Sequence, residues 1–284
     1  MSAPRTITIF THSYPDDTGP AVQRLVDSAA ERGVEVRLPV NEVEKHGFSE
    51  REGCVLGADP DGATDAAVVF GGDGTILTAL RSCAASGAPV FAFNYGAIGF
   101  LSTVERDDLE RGIRRLLDGE FEVLSMPALA VELDGDRRLG VNDISLHRRP
   151  TSRVAEIGYS VAGEQLGRVR CDGLVAATPV GSTGYNLANG GPILAWGVEG
   201  FVVSFIAPHT LTARALVVAP GDALTLENLS RDSVDVTTDN RPVAELHPGR
   251  ELAVRFLQGQ VRLAQVPGST FYHRIREKFG RLAY

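Results

Sequence analysis

Five consecutive residues, Gly71–Gly72–Asp73–Gly74–Thr75, combine a backbone largely free of side chains with a single carboxylate. Without Cβ atoms, Gly71, Gly72 and Gly74 are free to take positive φ and to let a ligand approach the chain closely. The run follows Asp65–Phe70 (DAAVVF), which reads as a buried strand. It precedes Thr75–Ala85, where Ile76, Leu77, Leu80 and Cys83 fall on or near one helical face. Amides that open a helix are unpaired and sit at the positive end of its dipole, which suits a pyrophosphate. Asp73 then places a carboxylate where anions gather. That is electrostatically costly unless the group holds Mg²⁺ or takes the proton of an attacking hydroxyl. A tight turn in which Asp73 merely caps the helix accounts for the same five residues, so the remainder of the chain has to discriminate.

The chain has 284 residues, 43% hydrophobic and 23% charged, enough for two modest domains or one large one. Its net charge is −8 and its basic residues form no long run, which argues against nucleic acid as the main partner. No apolar stretch is long enough to span a bilayer, and the N-terminus lacks the basic-then-apolar pattern of a signal peptide. A soluble cytoplasmic protein without a membrane partner is the expectation. Cys54, Cys83 and Cys171 are odd in number, far apart and without a C-x-x-C pair, so neither a disulfide framework nor a structural zinc site is expected. Lysine occurs only at Lys45 and Lys278 while arginine is abundant, for which genomic base composition is a sufficient cause. The consequence is chemical. There is no G-x-x-x-x-G-K-[ST] loop and no V-A-I-K lysine, so bound phosphates have to be met by backbone amides, arginines and a cation.

The elements that must position this chemistry fall into two styles. Arg5–Thr11 and Val34–Leu38 read as strands around a helix at Pro20–Arg32, whose stripe is Val22, Leu25, Val26 and Ala29. Residues 39–64 are polar, with scattered Gly and Pro, and assign to no element. Pro89–Phe93 is a short apolar strand, and Thr103–Asp118 a helix with Leu109, Ile113, Leu116 and Leu117 on one face and Gly119 at its end. Alternation of this kind implies a parallel sheet. From Ala128 to about Gln265 strand-like runs dominate: Leu129–Leu133, Leu139–Leu146, Val154–Val161, Leu174–Ala177, Phe201–Phe205, Leu224–Leu226, Val234–Thr238, Leu252–Phe256 and Val261–Leu263. Asp134–Gly135 and Ala162–Gly163 are hairpin signals, and a glycine-rich stretch, Val180–Ile193, interrupts the series. Phe271–Leu282 reads as a closing helix. The expected fold is an α/β N-terminal domain with a parallel sheet (1–122), an all-β sandwich-like domain (123–267) and a C-terminal helix (268–284).

Beyond GGDGT, four segments carry a resemblance: Phe93–Ser102 (FNYGAIGFLS), Val141–Arg148 (VNDISLHR), Cys171–Ile193 (CDGLVAATPVGSTGYNLANGGPI) and Pro208–Arg214 (PHTLTAR). GGDGT alone is shared with diacylglycerol-type lipid kinases, and GGDG with phosphofructokinases. With the other four in order, from Val68 onward, the chain resembles the NAD kinase family (ATP-NAD kinases). The resemblance implies an α/β domain followed by a β-sandwich-like domain with the NAD site between them, and a homodimer or homotetramer. It implies Asp73 as catalytic base, with the Gly72–Gly74 stretch in contact with ligand. Asn142 and Asp143 would hydrogen-bond ribose or diphosphate, Arg153 and Arg170 would bind, and Thr183, Gly184, Tyr185, Asn186, Leu187 and Ala188 would wrap the nucleotide. The residue types suit these roles: Asn–Asp can satisfy vicinal hydroxyls, Asp172 can accept from an adenine amine, and Tyr185 can stack or hydrogen-bond. Asn142–Asp143 as a strand-end turn, Asp172–Gly173 as a turn and Gly181–Gly184 as a loop before a cap are the plain structural readings. His147 and His209 stay open between lining the site and packing, while Trp196 reads as packing and Cys171 as an inert buried thiol.

Several positions depart from the family pattern. Gly184 stands where Ala is usual, Asn186–Leu187–Ala188 replaces S-L-S, Thr78 occupies a position that is often Arg, and Asp239–Asn240–Arg241 stands where D-G-Q is usual. These departures bear on side-chain contacts at Thr78, Ala188 and Arg241, the last counted among the binding residues. The expected reaction is transfer of a terminal phosphate from ATP or polyphosphate, with Mg²⁺, to the adenosine 2′-hydroxyl of NAD. Asp73, ionised at neutral pH as an ordinary Asp, takes the proton. A lipid or other small-molecule kinase would explain GGDGT but leave the Asn–Asp strand and the GSTGY segment without a task. A non-catalytic NAD(P)-binding sensor is the reading from a different class. Formation of NADP from ATP, Mg²⁺ and NAD separates the three.

Overall fold

Alternating apolar periods of two and 3.6 residues become alternating strands and helices through the N-terminal stretch of the chain. The computed structural model describes residues 2–97, 99–133, 135–150 and 152–280. The chain divides into two compact units, Met1–Ser125 with Val261–Tyr284, and Met126–Gln260.

The first unit contains β1 (Thr6–Thr11), α1 (Pro15–Glu31), β2 (Glu35–Pro39), α2 (Val40–His46), β3 (Cys54–Ala58), β4 (Ala66–Gly71), α3 (Asp73–Ser82), β5 (Val90–Asn94), β6 (Val104–Glu105) and α4 (Leu109–Asp118). β5, β4, β1, β2 and β3 pair in parallel in that order, with β6 beside β5. β4 and β5 are buried along their whole length, as strands covered on both faces must be. Ile7, Ile9, Val68, Phe70, Phe91 and Phe93 pack with Val22, Leu25 and Val26 of α1 and with Ile113, Leu116 and Leu117 of α4.

α1 starts earlier than its apolar stripe. Pro15 lies at its start and Asp16 and Asp17 in its first turn, favourable at the positive end of the dipole, while Pro20 lies inside the helix. α2 and β3 fill the stretch that sequence periodicity leaves unassigned. The buried residue of α2 is Glu42, so no apolar stripe announces that helix. The helix expected at Thr103–Asp118 is shorter, because β6 and a 3₁₀ turn at Arg106–Asp108 come first.

Among the described residues the second unit is all-β apart from one short α-helix and the 3₁₀ turn Gly181–Thr183 before it. It holds most of β7 (Glu122–Leu133), then β8 (Asp136–Gly140), β9 (Asp143–Arg148), β10 (Ala155–Val161), β11 (Glu164–Cys171), β12 (Gly173–Ala177), α5 (Tyr185–Ala188), β13 (Phe201–Ile206), β14 (Leu216–Val218), β15 (Leu224–Asn228), β16 (Val234–Thr238) and β17 (Arg241–Leu246). β14, β13, β12, β9, β16 and β17 form one antiparallel sheet. β11, β10 and β15 pair antiparallel and continue onto β18 (Glu251–Gln265). Alternate residues of these strands, among them Ile144, Leu146, Ile157, Leu174, Phe201, Leu226, Val236 and Val254, meet in one sandwich core. Of the Asp134–Gly135 hairpin signal, Asp134 lies outside the described residues; Gly135 takes φ +86° in the β7–β8 turn.

The runs read as two strands, Leu252–Phe256 and Val261–Leu263, are one strand. Its buried positions change phase from 252, 254 and 256 to 261 and 263 around Gly259, whose φ is +63°. Leu263 pairs in parallel with Val90 in the first unit. α6 (Phe271–Phe279) closes the chain, capped by the Thr270 side chain; the expected end of that helix, Arg281 and Leu282, lies outside the described residues. The architecture is thus an α/β unit with a parallel sheet, an antiparallel β-sandwich and a C-terminal helix. No helix among the described residues is long and apolar enough to cross a membrane.

Candidate active site

In the first unit the buried strand β4 delivers GGDGT to the carboxyl end of a parallel sheet, the edge where α/β folds bind ligands. Gly72 is the N-cap of α3, in extended conformation and with no side chain capping the helix, and its carbonyl accepts from the Thr75 and Ile76 amides. The amides of Asp73 and Gly74, the first two of α3, have no helical acceptor and sit at the positive end of its dipole. Contrary to the sequence expectation, none of Gly71, Gly72 and Gly74 takes a positive φ. Gly71 and Gly72 answer to space instead. A Cβ on Gly71 would lie 2.7 Å from Thr75 Oγ1, and one on Gly96 would lie 2.6 Å from Gly72 Cα. The loop after β5 is thereby pressed against the GGDGT loop, and Tyr95 N–H donates to Gly71 O at 3.0 Å. Gly74 is exposed, and a Cβ there would meet nothing within 4 Å.

Asp73 is the first residue of α3, not its cap. Its carboxylate accepts from the Phe100 amide at 3.1 Å and the Leu101 amide at 3.0 Å. Burial raises its pKa above the ordinary aspartate value, against the two amides and the charges of Arg274 and Lys278, which lower it. The carboxylate is therefore more basic than the ordinary Asp that the sequence suggested. Thr78, where the family often has Arg, turns its hydroxyl back to Gly74 O at 3.0 Å.

The two lysines are otherwise engaged. Lys45 Nζ donates to Thr11 O, Thr11 Oγ1 and Glu42 Oε1, which uses all three of its N–H donors. Lys278 lies 3.5 Å from Glu105. Arg274 went unnoticed in the sequence: its buried guanidinium donates to Phe100 O at 2.9 Å, Ser102 O at 2.7 Å and Gln265 Oε1 at 2.7 Å.

In the second unit two motifs converge. Thr178 N–H donates to Asn142 O at 2.9 Å, and Thr178 Oγ1 donates to Val141 O at 2.6 Å. Gly181 sits so close to Asn142 that a Cβ would lie 2.6 Å from Asn142 Cα. Asn142 Oδ1 is buried without a hydrogen-bond partner among the described residues. The Asp239 carboxylate accepts from the amides of Val141, Asn142 and Asp143 at 3.1, 2.7 and 3.2 Å. Asp239 and Asn240 have φ of +46° and +61°, so they form the left-handed pair of a tight hairpin turn. The departure from D-G-Q is thereby accommodated: Asn is the side chain that best tolerates the conformation Gly would take there. Asp143 is only 6% exposed, and its pKa is pushed up to about 7, first by burial and then by the neighbouring Asp239.

Tyr185 stacks on His147, ring centroids 5.6 Å apart and planes within 8°, and His147 Nε2 lies 2.9 Å from Ser145 Oγ. Asp172 is paired with Arg148, Nε to Oδ1 at 2.6 Å, with its side chain about one-third exposed. Arg148 was not singled out from the sequence. Arg153 and Arg170 are exposed, and neither side chain has an ion-pair or hydrogen-bond partner among the described residues. Thr183 Oγ1 donates to Val180 O at 3.2 Å, and Gly184 and Ala188 are exposed. Leu187 is half-buried. Asn186 is fully buried and spends its amide nitrogen on Ser182 O and Pro192 O. Arg241 is exposed at the start of β17. His209 is exposed, its backbone N–H donating to Arg170 O. Cys171 is buried and its thiol is pushed up to about 11, chiefly by burial, in line with an inert role. The three cysteines are free.

Comparison with known proteins covers most of the chain. Residues 26–121 match the family model of the ATP-NAD kinase N-terminal domain, and residues 141–266 that of the ATP-NAD kinase C-terminal domain. The chain is 34% identical to an NAD kinase of Gemmatimonas aurantiaca over 229 residues, covering 78% of each. It is 31% identical to an NAD kinase of Thermobifida fusca over 290 residues, covering 97% of this chain and 89% of that one. Its fold matches that of yeast NADH kinase complexed with NADH, with a TM-score of 0.87 and 21% identity, over 99% of this chain and 89% of the other.

Proposed function

The chain belongs to the ATP-NAD kinase family, and from that premise we propose how its residues divide the work of phosphorylating NAD with ATP. The observation that carries the reading is the placement of Asp73: a half-buried carboxylate with a raised pKa at the first turn of α3, beside an open Gly74. The α3 amides and the backbone at Gly72 and Gly74 receive the donor phosphates. Asp73 orients the adenosine 2′-hydroxyl of NAD and takes its proton as the new O–P bond forms and the bond to the departing ADP breaks. Its pKa, raised by burial, makes it a better proton acceptor than an ordinary aspartate.

The second unit recognises the acceptor. Asn142 and Asp143 take ribose or diphosphate groups, and Asn142 Oδ1, buried without a partner among the described residues, supports this by leaving an acceptor for a ligand donor. Arg153 and Arg170, exposed and without side-chain partners among the described residues, meet diphosphate, with Arg241 as a further cation. Tyr185, held flat against His147, offers a ring to a base, and Asp172 accepts from an adenine amine with the lone pairs that Arg148 leaves. Thr183, Gly184, Asn186, Leu187 and Ala188 shape the wall around it, and Asn186, through its internal bonds, holds that turn in place.

Among the described residues no three His, Cys, Asp or Glu side chains converge on a metal site. A divalent cation, Mg²⁺ in this reading, would be held mainly by the nucleotide phosphates and water, as Mg²⁺ commonly is. When bound it neutralises phosphate charge. Polyphosphate presents the same terminal group and is the alternative donor. The proposal extends to a homodimer or homotetramer in the cytoplasm. The exposed Leu216 and Val217 on the edge strand β14 and the three unbridged cysteines support this.

The test is Asp73→Asn. NADP formation from ATP, Mg²⁺ and NAD is expected to fall by roughly 10²- to 10⁴-fold, the usual scale of a lost general base. NAD binding by calorimetry is expected to be retained. Near-normal NADP formation by this variant removes Asp73 from the role.

A further inference from the structure

One peptide group in the first unit is held from both ends by charge. The Leu101 amide donates to Asp73 Oδ1 at 3.0 Å, and the carbonyl of the same peptide, Phe100 O, accepts from Arg274 Nη1 at 2.9 Å. Arg274 reaches this point from α6, is 5% exposed, and makes a second bond from Nη1 to Ser102 O at 2.7 Å. The peptide after Ser102 is itself tied down, because Thr103 N–H donates to Ala92 O of β5 at 2.7 Å. Gln265 Oε1 takes Nη2 at 2.7 Å and fixes the plane of the guanidinium. A cation on the carbonyl end of a peptide polarises it, so its N–H becomes a stronger donor at the other end. The arrangement thus runs from guanidinium through a peptide dipole to the carboxylate.

A buried arginine is an expensive way to hold a loop. Burial disfavours its charged form, opposed by Asp73, Glu105 and Glu277 in that order. The guanidinium bonds carbonyls and an amide, and the carboxylate that contributes most to its charge balance is Asp73, which receives the far end of the same peptide. We propose that Arg274 is a positioning residue for phosphoryl transfer: through the Phe100–Leu101 peptide it fixes the orientation of the Asp73 carboxylate and supplies the positive charge that balances it. The inference rests on the reading of Asp73 as the base.

The groups whose charge bears on Asp73 are Arg274 and Lys278, both from α6; Glu105 lies beside Lys278 and Glu277 beside Arg274. Arg274→Gln keeps a donor at the site but removes the charge. It is expected to lower kcat roughly 10- to 100-fold, the scale of a misplaced reacting group. KM for NAD and ATP should stay within about twofold, because no substrate contact is lost. With one positive charge gone, Asp73 ionises at higher pH, so the acid limb of the kcat profile moves up. The Asp73 carboxyl, titrated by ¹³C NMR, should move with it. Arg274→Lys keeps the charge but not the planar fork; its acid limb should stay near the parent's while kcat falls.

A kcat and acid limb unchanged in Arg274→Gln overturn the proposal, as does a rise in KM with kcat intact. If Arg274→Gln does not fold, Arg274→Lys decides alone. Full activity there, or an acid limb displaced upward despite the retained charge, overturns it. Activity surviving in Asp73→Asn would sink the parent reading; a dead Asp73→Asn with an indifferent Arg274→Gln sinks this inference only.

Discussion

Two carboxyl groups define the residue scale, and both are made more basic by burial. For Asp73 the effect is opposed by two amides and two cations. For Asp143 nothing opposes it: Asp239 stands nearby with like charge, and the pKa rises to about 7. Two consequences have defined signs. Between the ordinary value of 3.8 and about 7, the folded chain holds a proton on Asp143 that the unfolded chain has released. Stability therefore falls as pH rises through that window. Thermal midpoints measured from pH 5 to 8 should decline in the parent relative to Asp143→Asn, which has no charge to bury. A ribose hydroxyl donating to Asp143 favours the ionised form. NAD affinity should therefore strengthen as pH rises through 7 in the parent and be flat for Asp143→Asn, which titration calorimetry at several pH values would show. An identical pH dependence in parent and variant would place the titrating group elsewhere.

Elements act by bringing backbones together. β4 and β5 are neighbours in the sheet, so the loops that follow them emerge side by side, and Gly72 and Gly96 allow contact at a distance that Cβ atoms forbid. Gly96→Ala should therefore cost about 1–3 kcal/mol, the range for forced overpacking, and lower the thermal midpoint. Gly74 is the opposite case. It lies inside α3 with open space around its would-be Cβ, so Gly74→Ala should gain up to about 1 kcal/mol of helix stability. The added methyl occupies the space assigned to donor phosphates, so KM for ATP should rise. Denaturation and steady-state kinetics on the two variants check the paired signs; a stabilised Gly96→Ala, or a Gly74→Ala with unchanged ATP kinetics, would contradict these roles. The strand–loop–helix at GGDGT was legible because an apolar run, a glycine cluster and a helical stripe are contiguous there. α2 was not, since a buried charge occupies the position where a stripe would show. β11 was not either: of its residues only Val169 and Cys171 are buried, so no apolar alternation marks the strand.

At the scale of the whole molecule, each unit has its own core and its own share of the chemistry. The loop proposed to bind the donor belongs to Met1–Ser125 and the segments proposed to bind the acceptor to Met126–Gln260. Ligand protection should follow that division. In hydrogen exchange, NAD is expected to slow amides at 141–148 and 172–188, and an ATP analogue those at 71–78 and 95–102. The stabilisation is about 2.7 kcal/mol for ligand at a hundredfold excess over Kd. Protection by NAD confined to 71–78 would reverse the assignment. The sequence by itself determined the class of each unit and the family, because these depend on residue types at short spacing. Tertiary structure alone decided why Gly71 and Gly72 are glycines, which is close approach and not positive φ. It alone joined the last residues of β18 and α6 to the first unit, through the pairing of Leu263 with Val90. It also supplied the partners of the two carboxyls: Asp239 for Asp143, and Arg274 for the peptide that holds Asp73. Arg274 and Phe100 are separated by 174 residues, and no local pattern encodes a contact that only the folded chain closes.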